Sequence, residues 1–255
     1  MPATDPTLRF SSRVDNYARF RPGYPPEVTE LLTQECGLNA GSVVADIGSG
    51  TGLFTRLLLQ TGAEVFGVEP NPEMREAGEQ YLSGFPRFRS VAGTAEETTL
   101  EEHSVDIITA AQAAHWFDNQ RTRAEFVRIL KPGGYLVLLW NEPRRHSSSF
   151  LGAYEELLLK YCNDYERIRN ERTSFGIEAF FEMSKVRKKT FEIIQQFDYP
   201  GLEGRLLSSS YAPEAGEPVY DFMLRDLRIL FDQHQVNGSI LFEYDTTIFY
   251  GRIRE

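Results

Sequence analysis

The sequence is poor in the residues that build metal sites and disulfide frameworks. Its 255 residues hold two cysteines, Cys36 and Cys162, and four histidines. None of these cluster at ligand spacing, so the sequence offers no metal site, and two isolated thiols suit a reducing compartment, read here as cytoplasmic. Positive charge is also short: 27 Lys and Arg stand against 37 Asp and Glu, a net charge of −10. Such a chain repels a phosphate backbone on average, which argues against nucleic acid as a partner. No apolar run approaches the roughly 20 residues that span a bilayer, so no membrane partner is expected. The start, Met1-Pro2-Ala3-Thr4-Asp5-Pro6, lacks the basic and apolar segments of a signal peptide. Repeats, low-complexity tracts and clean interdomain linkers are missing too. What is present is 41% apolar residues, enough for one large domain or one domain with a cap.

The most informative stretch is Val43-Val44-Ala45-Asp46-Ile47-Gly48-Ser49-Gly50-Thr51-Gly52, followed by Leu53-Phe54-Thr55-Arg56-Leu57-Leu58-Leu59. An apolar run, three alternating glycines and a helical pattern read as strand, tight loop and helix. Such a loop brings bare backbone and helix N–H groups to a polar or anionic ligand. The next apolar run, Val65-Phe66-Gly67-Val68, ends in Glu69, placed to accept both hydroxyls of a ribose. A dinucleotide fingerprint needs a third glycine where Leu53 stands, so the spacing disfavours an NAD(P)-dependent oxidoreductase.

Around this centre the pattern predicts further elements. Glu27 to Cys36 is an amphipathic helix stopped by Gly37, and Asn71-Pro72-Glu73-Met74 opens another, with Asn71 as N-cap. Met74 either touches a bound base or fills the core. Arg87–Ala92, Val105–Ala110 and Tyr135–Trp140 read as strands, Arg123–Leu130 as a helix. Beyond them, Leu151–Tyr165 and Phe175–Met183 have helical spacing, Lys185–Lys189 is a solvated charged face, and Phe191–Phe197 is a strand. Pro218–His234 is a long helix and Ile240–Tyr250 the final strand. The fourth strand runs into Ala111-Gln112-Ala113-Ala114-His115-Trp116-Phe117-Asp118, where ligands of open α/β sheets sit. His115 there is either a general base or a ring stacked beside Trp116. Near the start, Tyr17 and Arg21 lie in a segment of aromatics and arginines, which either packs as an arm or closes over the ligand as a lid.

Several of these strings resemble one family. Asp46 two residues before Gly-x-Gly-x-Gly, Leu130-Lys131-Pro132-Gly133-Gly134-Tyr135-Leu136 before the fifth strand, the Tyr17-to-Pro25 segment, the His115-Trp116-Phe117 tip and Ser208-Ser209-Ser210-Tyr211 are similar to class I methyltransferases that use S-adenosylmethionine (SAM). The subfamily is the type 11, trans-aconitate-methyltransferase-like group. The resemblance implies an α/β fold: a Rossmann-like, mostly parallel sheet with helices on both faces, an antiparallel strand near the C-terminus and a helical cap after strand five. It divides the chain into an N-terminal lid and helix (1–40), a SAM-binding core (41–145), cap helices with a strand (146–238) and a closing strand (239–255). It implies SAM held by Tyr17, Arg21, Asp46, Gly48, Ser49, Gly50, Gly52, Glu69, Met74 and Gln112. Thr94 and Ala95 would meet the adenine, although the common residue at position 94 is Asp. The chain lacks an Asp/Asn-Pro-Pro-Tyr tetrad, which disfavours nucleobase amines as acceptors. A small molecule is expected instead, methylated on a carboxylate or hydroxyl, with Trp116, Arg144, Arg145 and Arg205 as candidate contacts and His115 as candidate base. The expected assembly is a monomer or homodimer. The alternative reading is a protein that binds SAM or S-adenosylhomocysteine without turnover.

Overall fold

The computed structural model describes residues 16, 19–173, 176–181 and 185–253. One seven-stranded sheet runs in the order β3-β2-β1-β4-β5-β7-β6. Its strands are β1 (Val43–Ile47), β2 (Glu64–Val68), β3 (Phe88–Val91), β4 (Val105–Ala111), β5 (Leu130–Pro143), β6 (Arg187–Phe197) and β7 (Ile240–Gly251). The first five are mutually parallel, β7 runs antiparallel to β5, and β6 antiparallel to β7. The chain winds outward from β1 to β3 and then returns to lay β4 on the other side of β1. The crevice at that reversal, between the ends of β1 and β4, is where such sheets bind ligands.

The sheet is sandwiched, and the alternation along β5 shows how. Val137 and Leu139 pack with α1 (Glu27–Cys36) and α2 (Leu53–Gln60), while Leu136, Leu138 and Trp140 face α4 (Asn119–Ile129). Both faces are buried, so the strand reads as one continuous apolar run. Helix ends follow their local chemistry. Gly37, at φ 74°, stops α1 in a left-handed cap. The Asn71 side chain accepts the Met74 N–H at 2.8 Å and starts α3 (Pro72–Tyr81).

A third core lies at the β5–β7 end. It joins α5 (Ser149–Tyr161), α7 (Tyr199–Leu207) and α8 (Tyr220–His234) to Phe242 and Tyr244 of β7. The cap is therefore inserted in two pieces, α5 with α6 (Tyr165–Thr173) before β6, and α7 with α8 after it.

Three expectations are corrected here. The helical stretch read as 151–165 breaks after Tyr161, where Cys162 turns extended at φ −107° and ψ 90°, and restarts as α6. Residues 185–189 are solvated as expected, but Arg187 to Lys189 also pair with Ile248 to Tyr250, because β6 is a charged edge strand. The helix read over Phe175–Met183 reduces, among the described residues, to a 3-10 turn at Ile177–Ala179; residues 175, 182 and 183 lie outside them.

Candidate functional site

The glycine turn has no room for other residues. Gly48, Gly50 and Gly52 have φ of 67°, 56° and 84°. A Cβ on Gly48 would stand 2.6 Å from that of Ala113, and one on Gly52 2.7 Å from a Leu82 methyl. The left-handed conformation alone disfavours any other residue. The turn is pinned from below, with Gly48 and Ser49 both donating to the Val68 carbonyl, at 2.9 and 3.2 Å.

Two acids flank the turn. Asp46 is buried and accepts from the Thr55 hydroxyl at 2.6 Å and the Thr109 hydroxyl at 2.8 Å. Burial raises its pKa to about 6, against the opposing pull of those two hydroxyls, and the nearby Glu69 adds to the rise. Its role is to tie β1, β4 and α2 together beneath the turn. Glu69, at the tip of β2, accepts from the Gly50 N–H and the Asn71 N–H, each at 2.9 Å. Burial pushes this carboxyl up as well, opposed by those two amides and Arg75. Each oxygen keeps a second lone pair for a diol.

The tip of β4 adds Gln112, whose φ of 61° is unusual for a residue with a side chain. Its amide donates to the Leu139 carbonyl at 2.9 Å and its side-chain nitrogen to the Asn141 carbonyl at 3.1 Å. Asn141 is a site residue that the sequence reading missed. It is buried, donates to the Gly23 carbonyl at 2.9 Å and accepts the Thr246 hydroxyl at 2.6 Å. A lone Asn after an apolar strand carries no sequence signal; only the position of β7 reveals it.

A cavity runs from this turn to the cap. On the core side Asp46, Gly48, Ser49, Gly50 and Gln112 line it, as do Arg21 and Tyr24 from the N-terminal segment. Arg21 donates to the Ser208 carbonyl at 3.0 Å, which joins residue 21 of the first string to the start of the 208–211 string. On the cap side stand Tyr154, Glu155, Arg145, Arg169 and Arg205. Glu155 takes Arg169 at 2.9 Å and Arg145 at 3.5 Å, together with the Tyr165 hydroxyl. Arg205 is 4% exposed and donates to the Tyr244 hydroxyl at 2.9 Å and the Ser209 hydroxyl at 3.1 Å.

Other expected residues lie elsewhere. Arg144 faces away from the cavity and is engaged by Asp245 at 2.8 Å and Glu192 at 2.5 Å, so its charge is already matched. Its neighbour Arg145, also an expected contact, does line the cavity. His115 and Trp116 sit in a 3-10 turn, ring centroids 4.7 Å apart, and His115 Nδ1 faces the Trp140 indole N–H at 3.4 Å. Neither is among the cavity-lining residues. Met74 is buried under the loop, its methyl against Gly50, and the Thr94 hydroxyl closes its own turn by accepting from the Glu97 N–H at 3.2 Å. Ala95 is buried in the core on the α4 side of the sheet. Tyr17 lies outside the described residues.

The site fits a nucleoside-type cofactor with a polar tail. A Cβ on Gly48 or Gly50 would crowd its surroundings, Glu69, itself outside the cavity lining, accepts from the Gly50 amide of the loop, and the buried Thr51 hydroxyl beside the cavity has no hydrogen-bond partner. Among the described residues no group of His, Cys, Asp and Glu could hold a metal ion, and no helix is long and apolar enough to cross a membrane.

Comparison with known proteins agrees with the fold. Residues 45–138 match the family model Methyltransf_11, a methyltransferase domain. An uncharacterised methyltransferase of Mycobacterium tuberculosis, Rv3342, is 42% identical over 137 residues, 54% of this chain and 54% of that protein. The chain spans about half the length of the curated relatives it matches. A candidate type II methyltransferase from Anaeromyxobacter dehalogenans superposes with a TM-score of 0.68 at 22% identity, over 92% of this chain and 99% of that one. A Haemonchus contortus phosphoethanolamine N-methyltransferase, solved with S-adenosylhomocysteine and phosphomonomethylethanolamine, gives a TM-score of 0.53 at 15% identity over 98% of this chain and 58% of that one. These likenesses define the fold as a Rossmann-like methyltransferase sheet.

Proposed function

We propose that the protein transfers a methyl group from SAM to an oxygen, carboxylate or hydroxyl, of a small molecule. The observation that carries this reading is the Glu69 carboxylate bonded to the amide of Gly50 in a turn of three left-handed glycines. When bound, SAM supplies a methyl already activated by its sulfonium. The chain's task is then to bind and orient. Glu69 holds the ribose, the 48–52 turn the amino-acid tail, and Gln112 the floor of the cavity at the tip of β4. The segment 21–24, tied to Ser208 and Asn141, shields the cavity from water. Orientation of this kind contributes up to roughly 7–11 kcal/mol of barrier lowering.

This arrangement assigns no base to His115, which lies off the cavity beside Trp140. A carboxylate acceptor needs none, being ionised already at neutral pH. His115→Ala therefore keeps the wild-type rate with a carboxylate acceptor and loses it only if His115 takes a proton from a hydroxyl.

The cofactor is tested by thermal unfolding with SAM, S-adenosylhomocysteine or NADH. At about 100 times its Kd a ligand adds about 2.7 kcal/mol, a rise of about 5–10 °C at this size. The expected result is a rise with SAM and S-adenosylhomocysteine; a rise with NADH alone would overturn the reading.

A further inference from the structure

We propose that the acceptor is a small organic acid whose anionic group is anchored by the Arg205 guanidinium and the Tyr154 hydroxyl at the cap end of the cavity. The inference rests on the methyltransferase reading and names its substrate class. Arg205 is 4% exposed, and among the described residues no carboxylate pairs with it; its hydrogen bonds go to the hydroxyls of Tyr244 and Ser209 and to nothing charged. Burying a guanidinium without a counter-charge is costly unless something supplies one. The groups whose charge bears on it most are the hydroxyls of Tyr244, Tyr154 and Tyr211, and burial pushes those of Tyr244 and Tyr154 further from ionising.

Tyr154 is the second, independent observation. Its side chain is 4% exposed, its hydroxyl has no hydrogen-bond partner, and it lines the same cavity as Arg205. A buried hydroxyl left unpaired is destabilising, so one that persists beside a counterion-free arginine is suited to donate to an anion. The remaining cap arginines do not compete for that anion on equal terms, since Arg145 and Arg169 share Glu155. Beyond the polar pair the cavity is lined by Leu151, Leu158, Ile168 and Phe242, which suits a compact apolar or aromatic body. On a chain of net charge −10, this concentration of cationic side chains around one cavity is local and specific.

The test uses benzoate, phenyl phosphate and the neutral isostere benzamide, titrated against the full chain with and without S-adenosylhomocysteine, followed by calorimetry and melting temperature. Benzoate or phenyl phosphate should bind while benzamide does not; which of the two binds more tightly separates a carboxylate from a phosphate ester. Tyr154→Phe should keep or raise the unliganded melting temperature, since it removes an unpaired hydroxyl, and weaken the anion roughly tenfold or more. Arg205→Met, of similar volume, should also fold and lose the anion altogether. Both variants should bind S-adenosylhomocysteine as wild type does. The inference is overturned if neither anion binds more tightly than benzamide, or if Tyr154→Phe and Arg205→Met bind them unchanged. Failure to bind S-adenosylhomocysteine would instead count against the methyltransferase reading itself.

Discussion

Asp46 shows at one residue how the site trades stability for position. Folding buries its carboxyl and raises its pKa to about 6 from 3.8. A carboxyl whose pKa rises on folding is more protonated in the folded state. Its contribution is therefore full below about pH 4 and is lost as pH climbs through 6. At about 1.4 kcal/mol per unit, the difference is about 3 kcal/mol. Asp46→Asn should thus gain stability relative to wild type between pH 4 and 7 by up to that amount, as read from urea unfolding at each pH. A difference that stays flat across this range would show the carboxyl to be unperturbed. The glycines act in the opposite sense. Gly50→Ala, at φ 56°, should cost roughly 1–2 kcal/mol and abolish the S-adenosylhomocysteine response. Cys36, buried and with its thiol pushed up to about 12, should react with iodoacetamide only after unfolding.

Among the elements, those written in the plainest chemistry were legible beforehand. The glycine turn, the Asn71 N-cap and the Gly37 stop are local signals, and each governs the element that it predicts. Asn71→Ala should cost about 1 kcal/mol in chemical denaturation through loss of the bond to the Met74 amide. The elements missed or misread are those whose causes are distant. Helix α7 contains Pro200, Gly201 and Gly204 and has little intrinsic helicity; it is held by the Asp198 cap at 2.9 Å and by burial of Leu202 and Leu206. The first half of β6 reads as a charged surface because one side of an edge strand is just that. Of the cavity lining, Gly48, Ser49, Gly50, Arg145 and Arg205 were among the residues the sequence singled out, while Tyr154 and Asn141 were not. Arg144 and Arg145 are adjacent and alike in sequence, and only the pairing of β5 with β7 places Asp245 beside one of them and the cavity beside the other.

At the level of the whole molecule, Asn141 is where the parts are joined. Its side chain and carbonyl connect the N-terminal segment at Gly23, β4 at Gln112 and β7 at Thr246. Asn141→Ala would remove the bonds to the Gly23 carbonyl and to the buried Thr246 hydroxyl, while the residue 141 carbonyl still accepts from Gln112. It should lower stability by about 2 kcal/mol or more and weaken S-adenosylhomocysteine binding in the same titration. A variant that loses stability but keeps full affinity would show that the N-terminal segment closes the cavity without this anchor.

The place of β7 in the sheet has a consequence for how the chain is made. β6 leaves the ribosome first, yet its sheet neighbour is β7, which also separates it from β5. Until residues 240–251 emerge, the strand at 187–197 has no neighbour to pair with, and the β5 edge stands open beside it. The lysines and arginine at 187–189 then act as guards, keeping the waiting strand from pairing with another nascent chain. Closure of the sheet, and with it the Tyr244 hydroxyl that receives Arg205, is thus a late event of synthesis, and the cap half of the cavity is completed only after the core half already exists.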